Sequence, residues 1–290
     1  MRLLFLADTH LGFDFPFKAR VERHRRGPDF FKTFEMALEP ARRGEVDAVV
    51  HGGDILYRSK VPPQLVRMAF EPLLEIAEKG IPVYVVPGNH ERGAIPFRLF
   101  ATHKNLHIFL RPKTFYLEKE GITLALSGFP YVRENIRERF PEVLLETGWM
   151  NRRADIHLLC IHHCVEGASI QMGNSLHIFR NNMDVIKISQ FPKEFAGILS
   201  GHIHRFQVLT RDLGGHPVPV RVFYPGSTER TSFVEKDEQK GYLILDVEKG
   251  LNSETGRIVS WKFCELPAKP MAVLEVRAGS MTGNEMKEWM

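Results

Sequence analysis

Five times along the chain a short apolar run stops abruptly at carboxylate, imidazole or amide side chains. Residues 3–7 lead into Asp8-Thr9-His10, residues 46–50 into Gly52-Gly53-Asp54, and residues 83–86 into Gly88-Asn89-His90-Glu91. Further on, residues 156–161 lead into His162-His163 and residues 198–200 into Gly201-His202-Ile203-His204. Short continuous apolar runs bounded by polar residues read as strands covered on both faces. Between the first three runs the apolar spacing becomes helical. Phe30, Phe31, Phe34, Leu38 and Ala41 follow Pro28-Asp29, while Leu65, Met68, Ala69, Leu73, Ile76 and Ala77 follow Pro62-Pro63 and stop at Gly80. Pro72 is expected to kink the second helix. Alternating strands and helices predict parallel strands joined by crossovers, with a ligand crevice at their carboxyl ends. That geometry singles out Asp8, Asp54 and Asn89.

Beyond residue 105 the pattern shifts to shorter segments, at 122–127, 156–161, 198–200, 218–223, 242–247 and 258–263, which predict a second, mixed or antiparallel sheet. Residues 133–145 read as a helix and 166–184 as a long loop. Residues 1–265 read as one domain, and residues 266–290, where a new strand opens at 273–276, as the start of an incomplete C-terminal capping domain. A hydrophobic content of 43% with 26% charged residues provides for a sizeable core and excludes intrinsic disorder. A net charge of only +4 leaves any anion-binding surface to local clusters. Cys160, Cys164 and Cys264 are odd in number and lack a CxxC spacing, which fits a reducing compartment, with cytoplasm as the expectation. Asp8 and His10 break the first apolar run too early for a signal peptide, and no run approaches the roughly 18 residues of a membrane span.

Carboxylate, imidazole and amide oxygen together are the donor types suited to borderline divalent metals such as manganese, iron and zinc, whereas magnesium or calcium calls for oxygen alone. Asp8 with His10, and His202 with His204, alternate on strand-end loops and can turn toward one centre. Glycines beside Asp54, Asn89 and His202 permit sharp turns there. His163 points away from such a centre if its segment is extended, and reads as a packing residue. Cys160 and Cys164 read as buried strand cysteines, and His51, His157, His177 and His216 receive no role.

In this order the five blocks resemble the calcineurin-like metallophosphoesterase superfamily, with its Asp-x-His, Gly-Asp, Gly-Asn-His-Asp/Glu, His and Gly-His-x-His motifs. Asp8-Thr9-His10-Leu11-Gly12, with Tyr224-Pro225-Gly226-Ser227-Thr228-Glu229-Arg230, further resembles the DNA-repair nucleases typified by bacterial SbcD; the likeness covers residues 1 to about 250. The resemblance implies a four-layer α/β sandwich of two mixed β-sheets flanked by helices. It implies that Asp8, His10, Asp54 and His204 hold one metal ion and that Asp54, Asn89, His162 and His202 hold the other, Asp54 bridging. It further implies two divalent ions, Mn2+ first with Fe2+ or Zn2+ as alternatives, and hydroxide attack on a DNA phosphodiester. His90 next to Asn89 is expected to act on the phosphate as a catalytic, non-ligating group. A homodimer and an SbcC-type ATPase partner complete the implication.

One position departs from the family, whose nucleases generally carry His three residues after the bridging Asp. This chain has Tyr57, and a phenol at that position can donate a hydrogen bond to phosphate but is a poor proton shuttle at neutral pH. Two basic segments, residues 18–26 and 92–113, are expected to meet DNA phosphates through Arg23, Arg25 and Arg26 and through Arg98 and Lys104. Two rival readings use the same residues. One is a phosphoesterase for nucleotides or cyclic nucleotides; the other is a DNA-end scaffold for the ATPase with little catalysis.

Overall fold

The computed structural model describes residues 1–14, 25–91, 103–173, 175–250 and 255–273. Strand β1 (Arg2–Leu6) is followed by helix α1 (Gly27–Arg42), β2 (Ala48–His51), α2 (Pro63–Glu78), β3 (Val83–Val85) and β4 (Leu106–Ile108). These four strands run parallel. Because side chains alternate along a strand, Leu3 and Phe5 of β1 enter one apolar cluster while Leu4 and Leu6 enter another. Helices α1 and α2 cover the second cluster with Phe30, Phe34, Leu38, Leu65, Phe70 and Leu73. Pro72 lies inside α2 without ending it. The helix stops at Lys79, and Gly80 takes the left-handed turn at φ 89°.

The second half adds β5 (Lys113–Lys119), β6 (Ile122–Gly128), α3 (Ile136–Glu146) and β7 (Ile156–Ile161). Then come β8 (Cys164–Val165), β9 (Ser169–Met172), β10 (Ser175–Ile178) and β11 (Val185–Ile186). The chain continues with β12 (Gly197–Ser200), β13 (Gln207–Arg211), β14 (Pro217–Tyr224), β15 (Gly241–Glu248) and β16 (Arg257–Glu265). Two six-stranded mixed sheets result, ordered β16-β15-β1-β2-β3-β4 and β13-β14-β12-β7-β6-β5. Phe5, Val50 and Leu243 of the first sheet pack against Leu126, Leu158, Leu199 and Phe223 of the second. The outer face of the second sheet buries Leu159, Ile161 and Val222 with Phe140 and Leu144 of α3. The layers are therefore helix, sheet, sheet, helix, the predicted four-layer α/β sandwich.

Two local expectations are corrected. Residues 242–247 and 258–263, assigned above to the second sheet, form β15 and β16 and extend the first sheet antiparallel to β1, with Leu3 opposite Leu245 and Phe5 opposite Leu243. Strands with equal alternation fit either sheet, so only the register against β1 decides. Residues 166–184 are not one loop: β9 and β10 form an antiparallel hairpin whose four-residue strands each alternate polar and apolar residues, but the register sets Ile170 opposite His177 and Leu176 opposite Gln171, so neither face is uniformly apolar. Of the proposed second domain, residues 274–290 lie outside the described residues. Just before them Leu266 is buried and the Lys269 backbone N–H donates to Glu229, so the start of that segment packs on the main body. Among the described residues no helix is long and apolar enough to cross a membrane.

Phe5, fully buried between the sheets, is the natural probe of this packing. Phe5→Ala is expected to remove about 3–5 kcal/mol of stability in urea denaturation. Met150→Ala, at a residue 61% exposed, should stay within about 0.5 kcal/mol of the parent. Equal midpoints for the two variants would contradict the assigned inter-sheet core.

Candidate metal centre

Strands β1, β2 and β3 of the first sheet and β7 and β12 of the second end at one edge, where their following loops interlock. The Asp8 N–H donates to the Gly53 carbonyl at 2.9 Å, His10 N–H to Asp54 O at 3.0 Å, and Leu11 N–H to Ile55 O at 2.7 Å. Asp8, His10, Asp54 and His202 all have positive φ, at 53°, 44°, 53° and 83°. Each non-glycine residue so held costs about 1–2 kcal/mol, strain that persists where surrounding bonds over-determine the backbone. One such device is Glu91. Its buried carboxylate accepts the N–H groups of Asp54 at 2.9 Å, Leu56 at 2.8 Å and Gly88 at 2.7 Å, tying the β3 loop to the β2 loop. A side chain at Gly88 would meet the Asp54 carboxylate at 2.2 Å, so only glycine lets the two loops close.

The seven predicted ligands converge in two overlapping groups. In one, Nε2 of His10 and Nε2 of His204 stand 2.9 Å apart, each about 4 Å from the Asp8 carboxylate. In the other, the Asn89 side-chain oxygen is 3.1 Å from His162 Nε2 and 2.9 Å from His202 Nδ1, and Asp54 Oδ2 is 3.3 Å from His162 Nε2. Donors that share an ion about 2.1 Å away lie about 3.0–3.4 Å apart, which these spacings approximate. Hydrogen bonding inside the protein already fixes several tautomers. Gly52 O, a pure acceptor, takes Nδ1–H of His162 at 2.7 Å, and Glu235 takes Nδ1–H of His204 at 3.2 Å. Both rings therefore present Nε2 inward. Nε2 of His204 then faces a second imidazole nitrogen, and buried His10 Nδ1 has no hydrogen-bond partner among the described residues. Imidazole nitrogens, carboxylates and an amide oxygen converging at these spacings, with one buried nitrogen left without a partner, fit a bound divalent cation that would displace the protons held there.

The electrostatics agree with that demand. Burial raises the Asp8 carboxyl to about 6, opposed by His162 and His204. Burial also acts on Asp54, but neighbouring His162 overrides it and holds the group below the usual carboxylate range. Burial pulls His162 down, yet Asp54 and Asp8 lift it to about 9. Burial and the charge of His162 depress His202 to about 3, and burial with His204 depresses His10. Burial pulls His204 down as well, yet its hydrogen bond to Glu235 and the charge of Asp8 raise it above its ordinary value, so without metal the centre holds an Asp54–His162 ion pair beside neutral His10 and His202. Burial and the charge of Asp54 push Glu91 up to about 8, against three backbone donors.

Two residues here, Glu235 and Lys240, carried no sequence signal of their own. Glu235 accepts from His204, Thr231 Oγ1 at 2.7 Å and Ser232 Oγ at 3.2 Å, and pairs with Lys240 at 2.6 Å. Lys240, also buried, donates to the His204 carbonyl at 2.9 Å. Glu229 of the Gly-Ser-Thr-Glu-Arg segment is buried and accepts from Arg26 and from the backbone N–H of Arg230 and Lys269. That segment latches the 227–240 region to the chain beyond β16. His163 turns away from the centre, accepts from the Val132 N–H and stacks on Tyr131 at 4.7 Å.

The predicted DNA contacts fall only in part within the described residues. Arg26 is committed to Glu229 and the Arg230 carbonyl, both at 2.9 Å, and Arg25 to Asp14 at 2.9 Å. Lys104 is exposed, and Arg23 and Arg98 lie outside the described residues. Tyr57 packs its ring edge-on against Phe13 and His10 at 4.8 and 6.1 Å, while its carbonyl accepts Nδ1–H of His90 at 2.5 Å.

Residues 1–206 match the family model described as calcineurin-like phosphoesterase. Similar proteins include the DNA double-strand break repair protein Mre11 of Methanopyrus kandleri, 24% identical, covering 95% of this chain and 59% of that protein. Mre11 of Haloferax volcanii is 36% identical, over 98% of this chain and 56% of that protein. The chain thus spans about three fifths of the length of such relatives. Among solved structures, a candidate 5′-nucleotidase from Staphylococcus aureus aligns with a TM-score of 0.53 at 16% identity, covering 99% of this chain and 56% of that one. A protein of Thermus thermophilus aligns with a TM-score of 0.52 at 13% identity, covering 84% of this chain and 93% of that one. At such identity these likenesses concern the fold alone.

The Asp54–His162 pair sets a sign for pH dependence. The folded-state value of His162, about 9, lies above its ordinary 6.5, so its stabilising contribution is complete below pH 6.5 and is lost as pH rises through 9. In chelated protein, the stability difference between the parent and His162→Gln should be larger at pH 6 than at pH 9.5. Metal must displace that proton, so metal affinity should rise with pH over the same window. Calorimetric titration and denaturation at the two pH values check both slopes, and an affinity that falls with pH would reject the assignment.

Proposed function

The chain belongs to the calcineurin-like phosphoesterase family, and we propose that it is a metal-dependent phosphodiesterase that cleaves DNA as a repair nuclease. The observation that carries the phosphoesterase part is the meeting of Asp8, His10, Asp54, Asn89, His162, His202 and His204 at one sheet edge, with His90 beside them. In this reading Asp8, His10 and His204 hold one divalent ion, Asn89, His162 and His202 the second, and Asp54 lies between. When bound, such a pair of ions activates water and neutralises charge on the phosphate. DNA as substrate draws on the Mre11 relatives.

The side chain at His90 has a defined chemical direction. The Tyr57 carbonyl accepts only, so Nδ1 of His90 carries the hydrogen and Nε2 is the position that takes up or gives a proton. Nε2 lies 3.8 Å from Asp54 Oδ2, and the side chain is 30% exposed, open to a substrate from outside. From there it can protonate the departing oxygen of a phosphodiester. The departure at Tyr57 alters a side chain, while the contact that orients His90 comes from the backbone of the same residue. Asn89 offers its oxygen to His162 and His202, so neighbours in sequence take different tasks, one toward metal and one toward phosphate. Mn2+ as the activating ion, a homodimer and an SbcC-type ATPase partner belong to the same proposal.

Chelation should abolish hydrolysis and Mn2+ should restore it, with elemental analysis finding two ions per chain. His90→Ala should keep both ions and slow hydrolysis of DNA and of bis-p-nitrophenyl phosphate by roughly 10²–10⁴. His162→Ala should instead lose metal together with rate. Loss of an ion from His90→Ala would make His90 a ligand, a role its distance from His10 and Asp54 also allows. Turnover of nucleotides or cyclic nucleotides without turnover of DNA would replace the nuclease reading with the small-substrate one.

A further inference from the structure

The metal centre opens on one side into a cavity of about 320 Å³ whose walls include His202, His204, Arg205, Val234 and Glu235. Directly beyond it lies a cavity of about 730 Å³ that shares Gln171, Arg205, Val234 and Glu238 with the first and adds Phe233 and Lys236. The two form one trough from the metal ligands outward between the β9–β10 hairpin and the 3-10 turn Phe233–Glu235. That turn faces both ways. Glu235 points inward and holds His204, whereas Phe233 and Val234 are each 46% exposed in the trough. Two residues of 3-10 helix advance only about 4 Å, so the bonds that orient His204 also set the distance from Phe233 to the centre.

The charges along the trough are unevenly paired. Glu238 is bound to Lys240 at 3.0 Å, and Asp237 faces Lys236 at 3.4 Å. Arg205, next in sequence to His204, has no carboxylate partner among the described residues, its guanidinium touching only Ser169 Oγ at 3.5 Å. An unpaired guanidinium and an exposed aromatic ring beside a phosphate-binding centre are the two elements with which proteins hold single-stranded nucleic acid. We infer that this trough seats the nucleotide flanking the scissile phosphate, its base stacked on Phe233 and its neighbouring phosphate on Arg205. The larger cavity lies within the range of about 300–1,000 Å³ that suits a ligand of that size. The inference rests on the phosphodiesterase reading and deepens it: preference for a nucleic-acid strand over a simple diester resides in Phe233 and Arg205 rather than in the metal ligands.

The test compares kcat/KM for a single-stranded oligonucleotide, for thymidine 5′-(p-nitrophenyl phosphate) and for bis-p-nitrophenyl phosphate, which has no nucleoside. Phe233→Ala and Arg205→Ala should each lower the ratio of oligonucleotide to simple-diester kcat/KM at least about fivefold, mainly through KM, with Arg205→Lys intermediate. Chelated protein supplies a readout independent of turnover. Its affinity for a fluorescein-labelled oligonucleotide should weaken at least about fivefold in the same variants, and unchanged thermal midpoints would show that they fold. Unchanged ratios and affinities would overturn the subsite, and so would equal losses on every substrate, which would mean that these residues act through the metal centre. Should the parent cleave the simple diester but no oligonucleotide, the DNA reading fails, while the thymidine ester and the binding arm still decide the subsite.

Discussion

Two carboxylates, Asp8 and Asp54, sit almost wholly out of water at the ends of adjacent parallel strands, and their charge must be compensated where they stand. An uncompensated buried carboxylate costs several kcal/mol even after relaxation. His162 supplies part of the compensation as a cation beside Asp54, and backbone N–H groups of His90 and His202 supply more. The rest matches a divalent ion, since His10 and His202 are held neutral by burial and the His10 and His204 rings turn Nε2 toward one another. The strained backbone at Asp8, His10, Asp54 and His202 follows from the same demand, because these side chains must turn back over the strand ends rather than continue along them.

The supporting structure repeats one solution at three places. A buried acid gathers donors from segments distant in sequence and so fixes their relative position. Glu91 does this for the loops after β2 and β3, Glu235 for His204 and the 3-10 turn, and Glu229 for Arg26 and the chain beyond β16. Each carboxylate accepts at least three hydrogen bonds or ion pairs, so burial is offset by contacts that leave little freedom. This frame keeps metal donors at spacings a small ion can bridge, and it bounds a trough whose far wall is the β9–β10 hairpin. Chemistry and substrate choice therefore fall to different parts of the molecule: the strand ends carry the first and the connecting segments the second.

Much of the fold and centre was legible in the residues themselves. The five apolar runs ending in Asp8, Asp54, Asn89, His162 and His202 were readable because alternation and covalent adjacency are local properties: a strand's last residue determines where the next few side chains emerge. Helices α1 and α2 were readable for the same reason, from their apolar stripes and flanking prolines and glycine. The basic segment around Arg25 and Arg26 shows the opposite case. A cluster of arginines looks alike in sequence whether it meets phosphate or buried acid, and Arg26 meets Glu229 some 203 positions away.

By itself, then, the sequence determined the donor types, their order and the strands that present them, since each depends on neighbours within a few residues. Tertiary structure decided the rest. It placed β15 and β16 beside β1 rather than in the second sheet, because backbone pairing and not composition distinguishes two sheets of equal alternation. It gave Glu91, Glu235 and Lys240 their tasks, because a buried charge is defined by what surrounds it. It also set Phe233 and Arg205 around one trough, because a turn and a strand-end loop separated along the chain come together only when both sheets are packed.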